Sequence, residues 1–227
     1  MKIFITSTNT DIGKTYITQN LYHFFKNHGY SVTIFKPLQT EEMPDGTYPD
    51  LETYKRDCGL SYEETALYKF KDPVSPHLAF KRQPEQIFKR ELIIEKLNTL
   101  TKKYEIVLIE GAGGIAVPIY EGSDNFYMTT DLISDLNPEH IISVVPSKLG
   151  AIGDTVVHQQ YLNFNELTHN ILIMNDYTGT DVEEDNKQTI EKLLHKQVLT
   201  FPHNGQYTDF DVQLLKLLEE DVVDEVE

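Results

Sequence analysis

The chain has 227 residues, of which 40% are hydrophobic and 25% charged, proportions that suit one soluble globular domain with a two-sided core. A formal net charge of −16 argues against nucleic acid and anionic membrane as partners, because both attract basic surface. A single cysteine, Cys58, excludes an internal disulfide and a cysteine-based zinc site, and no apolar run reaches the length of a membrane span. The expectation is a cytoplasmic domain over 1–220 followed by an acidic, frayed tail over 221–227.

In chain order, a short apolar strand at 3–5 leads into residues 7–15: Ser7, Thr8, Asn9, Thr10, Asp11, Ile12, Gly13, Lys14 and Thr15. A helix over 15–28 follows, with Gly29 as its stop signal. Gly13, Lys14 and Thr15 end the segment as a phosphate-binding loop ends. Backbone N–H groups and the positive end of the helix dipole face a polyphosphate there. The lysine supplies a point charge, and the threonine hydroxyl suits magnesium. A standard loop has glycine where this chain has Thr8; the nearest small residue is Ser7, which makes the loop one residue longer.

A second strand at 32–35 ends in Lys36 and Pro37. A lysine where a buried strand leaves the sheet suits a second cation on a transferring phosphoryl group better than a snorkelling surface charge. Residues 37–82 are rich in Pro, Asp, Glu and Tyr and lack periodicity, as a functional loop at the ligand edge would. Within them Asp50 opens a short helix and reads, by itself, as its N-cap. A helix is predicted over 84–103, with Pro84 as its start signal.

The strand at 106–109 ends in Glu110, followed by Gly111, Ala112, Gly113 and Gly114. A carboxylate at a strand tip beside a phosphate loop can hold magnesium, and the small residues let backbone N–H groups approach a ligand. Helices over 129–136, 150–164, 183–196 and 209–219 alternate with strands at 141–145, 171–174 and 198–201. Asp154 and His158 are expected on the solvated face of the helix over 150–164. Asn175 and Asp176, after the strand at 171–174, read equally as a turn or as a reader of a nucleobase edge. The eight histidines have no metal-ligand spacing. The alternation gives an α/β fold: a doubly wound, mainly parallel sheet with helices on both faces, P-loop NTPase-like, with ligands at the carboxyl ends of the strands.

Residues 7–15, Lys36-Pro37, Asp50, Ser75-Pro76-His77, Glu110 to Gly114, Lys148-Leu149-Gly150 and Asn175-Asp176 together resemble the dethiobiotin synthetase family, in order and spacing, from residue 3 to about 204. The resemblance implies a cytoplasmic homodimer that closes a cyclic urea from 7,8-diaminopelargonate, CO2 and ATP with Mg²⁺. It implies that Lys14 and Lys36 bridge carbamate and γ-phosphate, and that Thr15, Asp50 and Glu110 hold the metal. Thr10 would bond the phosphates, and Asp11 would lie near the substrate amines. Ile12, Gly13, Tyr16, Gly111, Ala112 and Gly113 would line the nucleotide. Thr40 and Gly113 would touch the diamine, and Leu149 and Gly150 its carboxylate across the dimer. Asn175, Asp176 and the turn Phe201, Pro202, His203 would bound the base. Ser7 replaces the family's first loop glycine, and Gly153 stands where some members carry asparagine. A partition-type or regulatory ATPase of the same fold is the competing class. Its extra loop lysine is missing among Thr8, Asn9, Thr10 and Asp11.

Overall fold

A computed structural model of the chain describes residues 1–220; the acidic tail expected over 221–227 lies outside them. The first half runs β1 (Lys2–Ser7), α1 (Lys14–Asn27), β2 (Val32–Gln39), α2 (Pro49–Thr53), a π-helical turn (Tyr54–Cys58), α3 (Tyr62–Thr65), β3 (Ala66–Lys69), α4 (Pro76–Arg82), α5 (Arg90–Thr101) and β4 (Ile106–Glu110). The second half runs β5 (Pro118–Glu121), β6 (Phe126–Met128), α6 (Thr129–Leu136), β7 (His140–Val145), α7 (Ala151–Phe164), β8 (Asn170–Tyr177), α8 (Asp181–Leu194), β9 (Val198–Pro202) and α9 (Gln213–Glu220).

Seven strands form one sheet in the order β3-β2-β4-β1-β7-β8-β9, every pair parallel, and β5 and β6 form a separate antiparallel hairpin. Successive residues along a strand enter opposite cores. Ile3 and Ile5 pack with Ile17, Leu21 and Phe25 of α1 and with Leu214 and Leu218 of α9. Phe4, between them, packs with Phe35 and with Ile93 and Leu97 of α5 on the other face. Both faces are therefore dry, which is why these strands are apolar without alternation. β4 lies between β1 and β2, and the carboxyl ends of all three open on the same edge of the sheet.

Several expectations are corrected. The helix predicted over 84–103 begins at Arg90, and Pro84 lies in the turn after α4. The Tyr68 hydroxyl donates to the Ile87 carbonyl at 3.2 Å and accepts from the Lys89 N–H at 2.9 Å, which ties the intervening backbone outside the helix. His158 is buried, with Nε2 2.8 Å from the Ser143 hydroxyl of β7, and burial lowers its pKa to about 4; only Asp154 is solvated. The segment 37–82 contains the edge strand β3 and three short helices, elements too brief to show a period. Cys58 is buried, and burial raises its thiol to about 12. Among the described residues no helix is long and apolar enough to cross a membrane.

Glu183 ties the second half of the ligand edge together. Its Oε2 accepts from the N–H and hydroxyl of Thr178 and of Thr180, at 3.0, 2.7, 3.1 and 3.0 Å, and its Oε1 from Ser147 at 2.9 Å. Burial pushes its pKa up, but the hydrogen bonds outweigh burial and hold it at about 2. A depressed carboxylate contributes stability above its unfolded pKa and loses that contribution as pH falls through the folded one. The melting-temperature gap between the native chain and Glu183→Gln should hold steady near neutrality and close between about pH 4.5 and 2, as read by circular dichroism melts across that range.

Candidate active site

After the buried Ser7 the chain turns through residues 8–13 and enters α1 at Lys14. Asp11 and Gly13 take left-handed backbone, φ 60° and 98°, and aim the loop around its own opening. No side chain caps α1 at Gly13, so its first N–H groups are free to meet an anion. Ser7 itself is outside the left-handed region, so a side chain there strains nothing. Its hydroxyl donates to the Asn9 carbonyl at 2.5 Å and accepts from Lys14 Nζ at 3.0 Å. Burial lowers the Lys14 ammonium to about 8, chiefly against the pull of Glu110.

The parallel register sets Phe35 beside Ile109 and thereby carries Lys36 to Glu110, the last residue of β4. Lys36 Nζ lies 2.5 Å from Glu110 Oε1 and 2.7 Å from Asp50 Oδ2, with only 4% of the lysine exposed. Thr15 Oγ1 is 3.0 Å from both Asp50 Oδ1 and Glu110 Oε1. The hydroxyl of Tyr54, in the π turn, donates to Glu110 Oε2. Asp50 is not the N-cap that its position suggests: Tyr48 takes that place and Pro49 the first helical one, so Asp50 turns inward to Lys36. Burial works against the Lys36 charge, but Asp50 and Glu110 outweigh it and raise the ammonium above its usual range. Asp50 is lowered: burial opposes its charge and Lys36 overcomes it. Glu110, wholly enclosed, is raised by burial, and Lys36 only partly offsets this.

Thr15, Asp50 and Glu110 thus converge as three hard oxygen donors. No group of three or more His, Cys, Asp or Glu side chains suited to a metal occurs among the described residues. Magnesium does not require one, since it takes one or two carboxylates and completes its shell with water and substrate phosphate. The donor set fits that ion.

A cleft of about 560 Å³ opens above the cluster, a size suited to small ligands. It brings together Thr10, Asp11, Gly13, Lys14, Thr15 and Tyr16 with Lys36, Thr40, Asp50, Glu110, Ala112 and Gly113. Ile12 and Gly111 stand behind this lining: Ile12 offers its carbonyl to Asn175, and Gly111 lies where a Cβ would come 3.1 Å from the Phe4 ring. Thr53 and Arg56 line the cleft without having been singled out from the sequence. With Asp50 on a helix, positions three and four residues further fall on the same face, a signal that points to Thr53 and Tyr54.

A second group lies at the ends of β8 and β9. Asn175 Nδ2 donates to the Ile12 carbonyl at 2.9 Å, which binds this group to the phosphate loop. Asp176, with φ 59°, accepts from Lys148 Nζ at 2.5 Å and pairs with His203. The Phe201 ring is fully buried, packed 4.5 Å from the ring centre of Phe210, so it supports the turn at Pro202 and His203 from beneath. Leu149 and Gly150 open α7 outside the cleft, and Leu149 is 97% exposed.

A family model described as AAA domain matches residues 1–208. An ATP-dependent dethiobiotin synthetase BioD of Staphylococcus epidermidis is 58% identical over 210 residues, which cover 92% of this chain and 94% of that relative. A protein of the same name from Geobacillus sp. is 39% identical, covering 94% of this chain and 89% of its own length. The chain belongs to the ATP-dependent dethiobiotin synthetases. The MinC:MinD cell division complex of Aquifex aeolicus shares the fold at TM-score 0.54 and 15% identity, with 99% of this chain and 88% of that one covered. The signal recognition particle receptor FtsY of Elizabethkingia anophelis does so at 0.58 and 14%, covering 97% and 64%. At such identities the likeness concerns the fold alone.

In this synthetase Gly13 is the loop position least open to change. A Cβ there would meet Asn175 Nδ2 at 2.2 Å, on a backbone that side chains rarely adopt. Gly13→Ala should weaken ATP binding by about tenfold or more, since backbone strain of a few kcal/mol falls on the binding loop itself. Calorimetric titration with ATP checks this, and unchanged affinity would show that the loop relaxes freely.

Proposed function

We propose that the chain joins 7,8-diaminopelargonate, CO2 and ATP into dethiobiotin, ADP and phosphate, using Mg²⁺ and acting as a homodimer. The observation that carries the reading is the meeting of Lys14, Thr15, Lys36, Asp50 and Glu110 in one cleft at the strand ends. A site that only sheltered a nucleotide would not need a second buried lysine there. One substrate amine adds to CO2 and sheds a proton, giving a carbamate. A carbamate oxygen attacks the γ-phosphorus as the bond to the β-phosphate oxygen breaks, giving a carbamic-phosphoric anhydride and ADP. The second amine attacks the activated carbon and sheds a proton as phosphate leaves, and the ring closes as a cyclic urea.

The protein's part is to hold two anions together and meet the charge that spreads over the phosphoryl oxygens. Lys14 and Lys36 supply the cations, and Thr10 and the N–H groups opening α1 hold the phosphates. Asp11 and Thr40, at the rim, face the diamine and carbamate, and Gly113 offers backbone beside them. Thr15, Asp50 and Glu110 hold magnesium, which neutralises phosphate charge when bound. Asn175, held to the phosphate loop through Ile12, bounds the base together with Asp176 and His203. Leu149 and Gly150, set apart from the cleft, serve the substrate carboxylate of the neighbouring protomer.

Phosphate release from ATP and Mg²⁺ in bicarbonate should depend on the diamine and yield a cyclic urea, identified by mass spectrometry. Hydrolysis indifferent to the diamine would point to a partition-type ATPase. Lys36→Met, which keeps the stem and removes the charge, should lower turnover by about a thousandfold or more. Protein shown to be folded by circular dichroism and turning over at the native rate would remove Lys36 from the chemistry.

A further inference from the structure

Tyr54 is a fully buried side chain whose ring belongs to the same core cluster as Ile17, Leu21 and Phe25. Its hydroxyl meets Glu110 Oε2, while Glu110 Oε1 faces Thr15 and Lys36. Glu110 is 0% exposed, so no solvent reaches either oxygen. The two oxygens are therefore divided: one is committed to the core side, the other to the cleft side. The division follows from the chain path. Asp50 and Tyr54 stand four residues apart across α2 and the π turn, so both point inward, to the two ends of one cluster. A π turn inserted beside a site is a recurrent way of aiming such a residue.

We infer that Tyr54 is a positioning residue that holds Glu110 with Oε1 alone toward Thr15 and Asp50. Without the phenol, the carboxylate is free to rotate and present either oxygen, and the donor set loses its fixed shape. The inference rests on the metal-binding reading of Thr15, Asp50 and Glu110, and deepens it. A tyrosine with only a packing role would be replaced by phenylalanine at no cost to metal affinity.

The test is Mn²⁺ binding, followed by electron paramagnetic resonance, in the presence of a non-hydrolysable ATP analogue. Native chain, Tyr54→Phe, Tyr54→Met, Glu110→Gln and the double variant Tyr54→Phe/Glu110→Gln are compared, with analogue affinity also measured in chelator. Both Tyr54 variants should bind Mn²⁺ about tenfold or more weakly, the usual effect of removing a group that orients a metal ligand. Their metal-free analogue affinity should match the native chain, which also reports that they are folded. The double variant should be no weaker than Glu110→Gln alone. Native Mn²⁺ affinity in Tyr54→Phe beside a weakened Glu110→Gln would overturn the role of Tyr54 and leave the metal set standing. An equal fall in metal-free affinity, or a loss undiminished in the Glu110→Gln background, would also overturn it. A Glu110→Gln variant with native Mn²⁺ affinity would remove the metal set and this inference together.

Discussion

Lys36 sits between two carboxylates with almost no access to water, and the rest of the site follows from keeping that charge matched. Removing an ion from water is costly, and a buried pair persists only where each partner is placed and hydrogen-bonded. Here the partners come from separate parts of the chain: Lys36 from β2, Glu110 from β4 and Asp50 from α2. The sheet register brings the first two together, and the helix that follows the cleft's rim supplies the third. With Lys14 included, two basic side chains face two acidic ones. Loss of one partner from a buried pair commonly costs about 3–5 kcal/mol, so these contacts also bind the ligand edge of the fold.

The phosphate loop meets this cluster through its lysine and threonine. Ser7 turns a missing glycine into an anchor, because its hydroxyl accepts from Lys14 while holding the Asn9 carbonyl. The loop's curvature is carried by Asp11 and Gly13, downstream of the position where a glycine is usually found. The uncapped start of α1 and Lys14 line the opening, with Lys36 and Glu110 enclosed within it and Asp50 partly exposed beside them. An uncapped helix start with a lysine beside it suits a polyphosphate.

Much of this was legible in the order of residues. The strands at 106–109 and 171–174 stand out as apolar runs because both faces of the sheet are covered, and Glu110 is conspicuous as a charge at the tip of one. Lys36 also ends an apolar run, but β2 continues past it to Gln39 because β3 pairs with that stretch, so the lysine lies inside the strand and not at its exit. Asp50 was not legible in its own right, since Pro49 shifts the cap back to Tyr48 and only the fold carries the carboxylate to Lys36. His158 misled because a helix that packs one face on a sheet can bury a histidine given a hydroxyl partner, and Ser143 is distant in sequence. Residues 37–82 concealed β3 and three helices, each no more than two turns or two pleats long and so too brief to repeat its period convincingly. Tyr54 was hidden by its chemistry: an aromatic residue reads as core, and its ring is core, while the hydroxyl alone reaches the site.

Asn175 reaches from the end of β8 to the Ile12 carbonyl and fills the space above Gly13. The same amide thus touches the loop that grips phosphate and stands at the strand end assigned to the base. The end of β8 and the phosphate loop therefore share a mechanical link, and a residue swapped in at Asn175 would also reshape the loop around Gly13. Substitution has more freedom at Asp176 and His203, which pair with each other on the solvent side where Asp176 also meets Lys148, than at the amide that braces the phosphate loop.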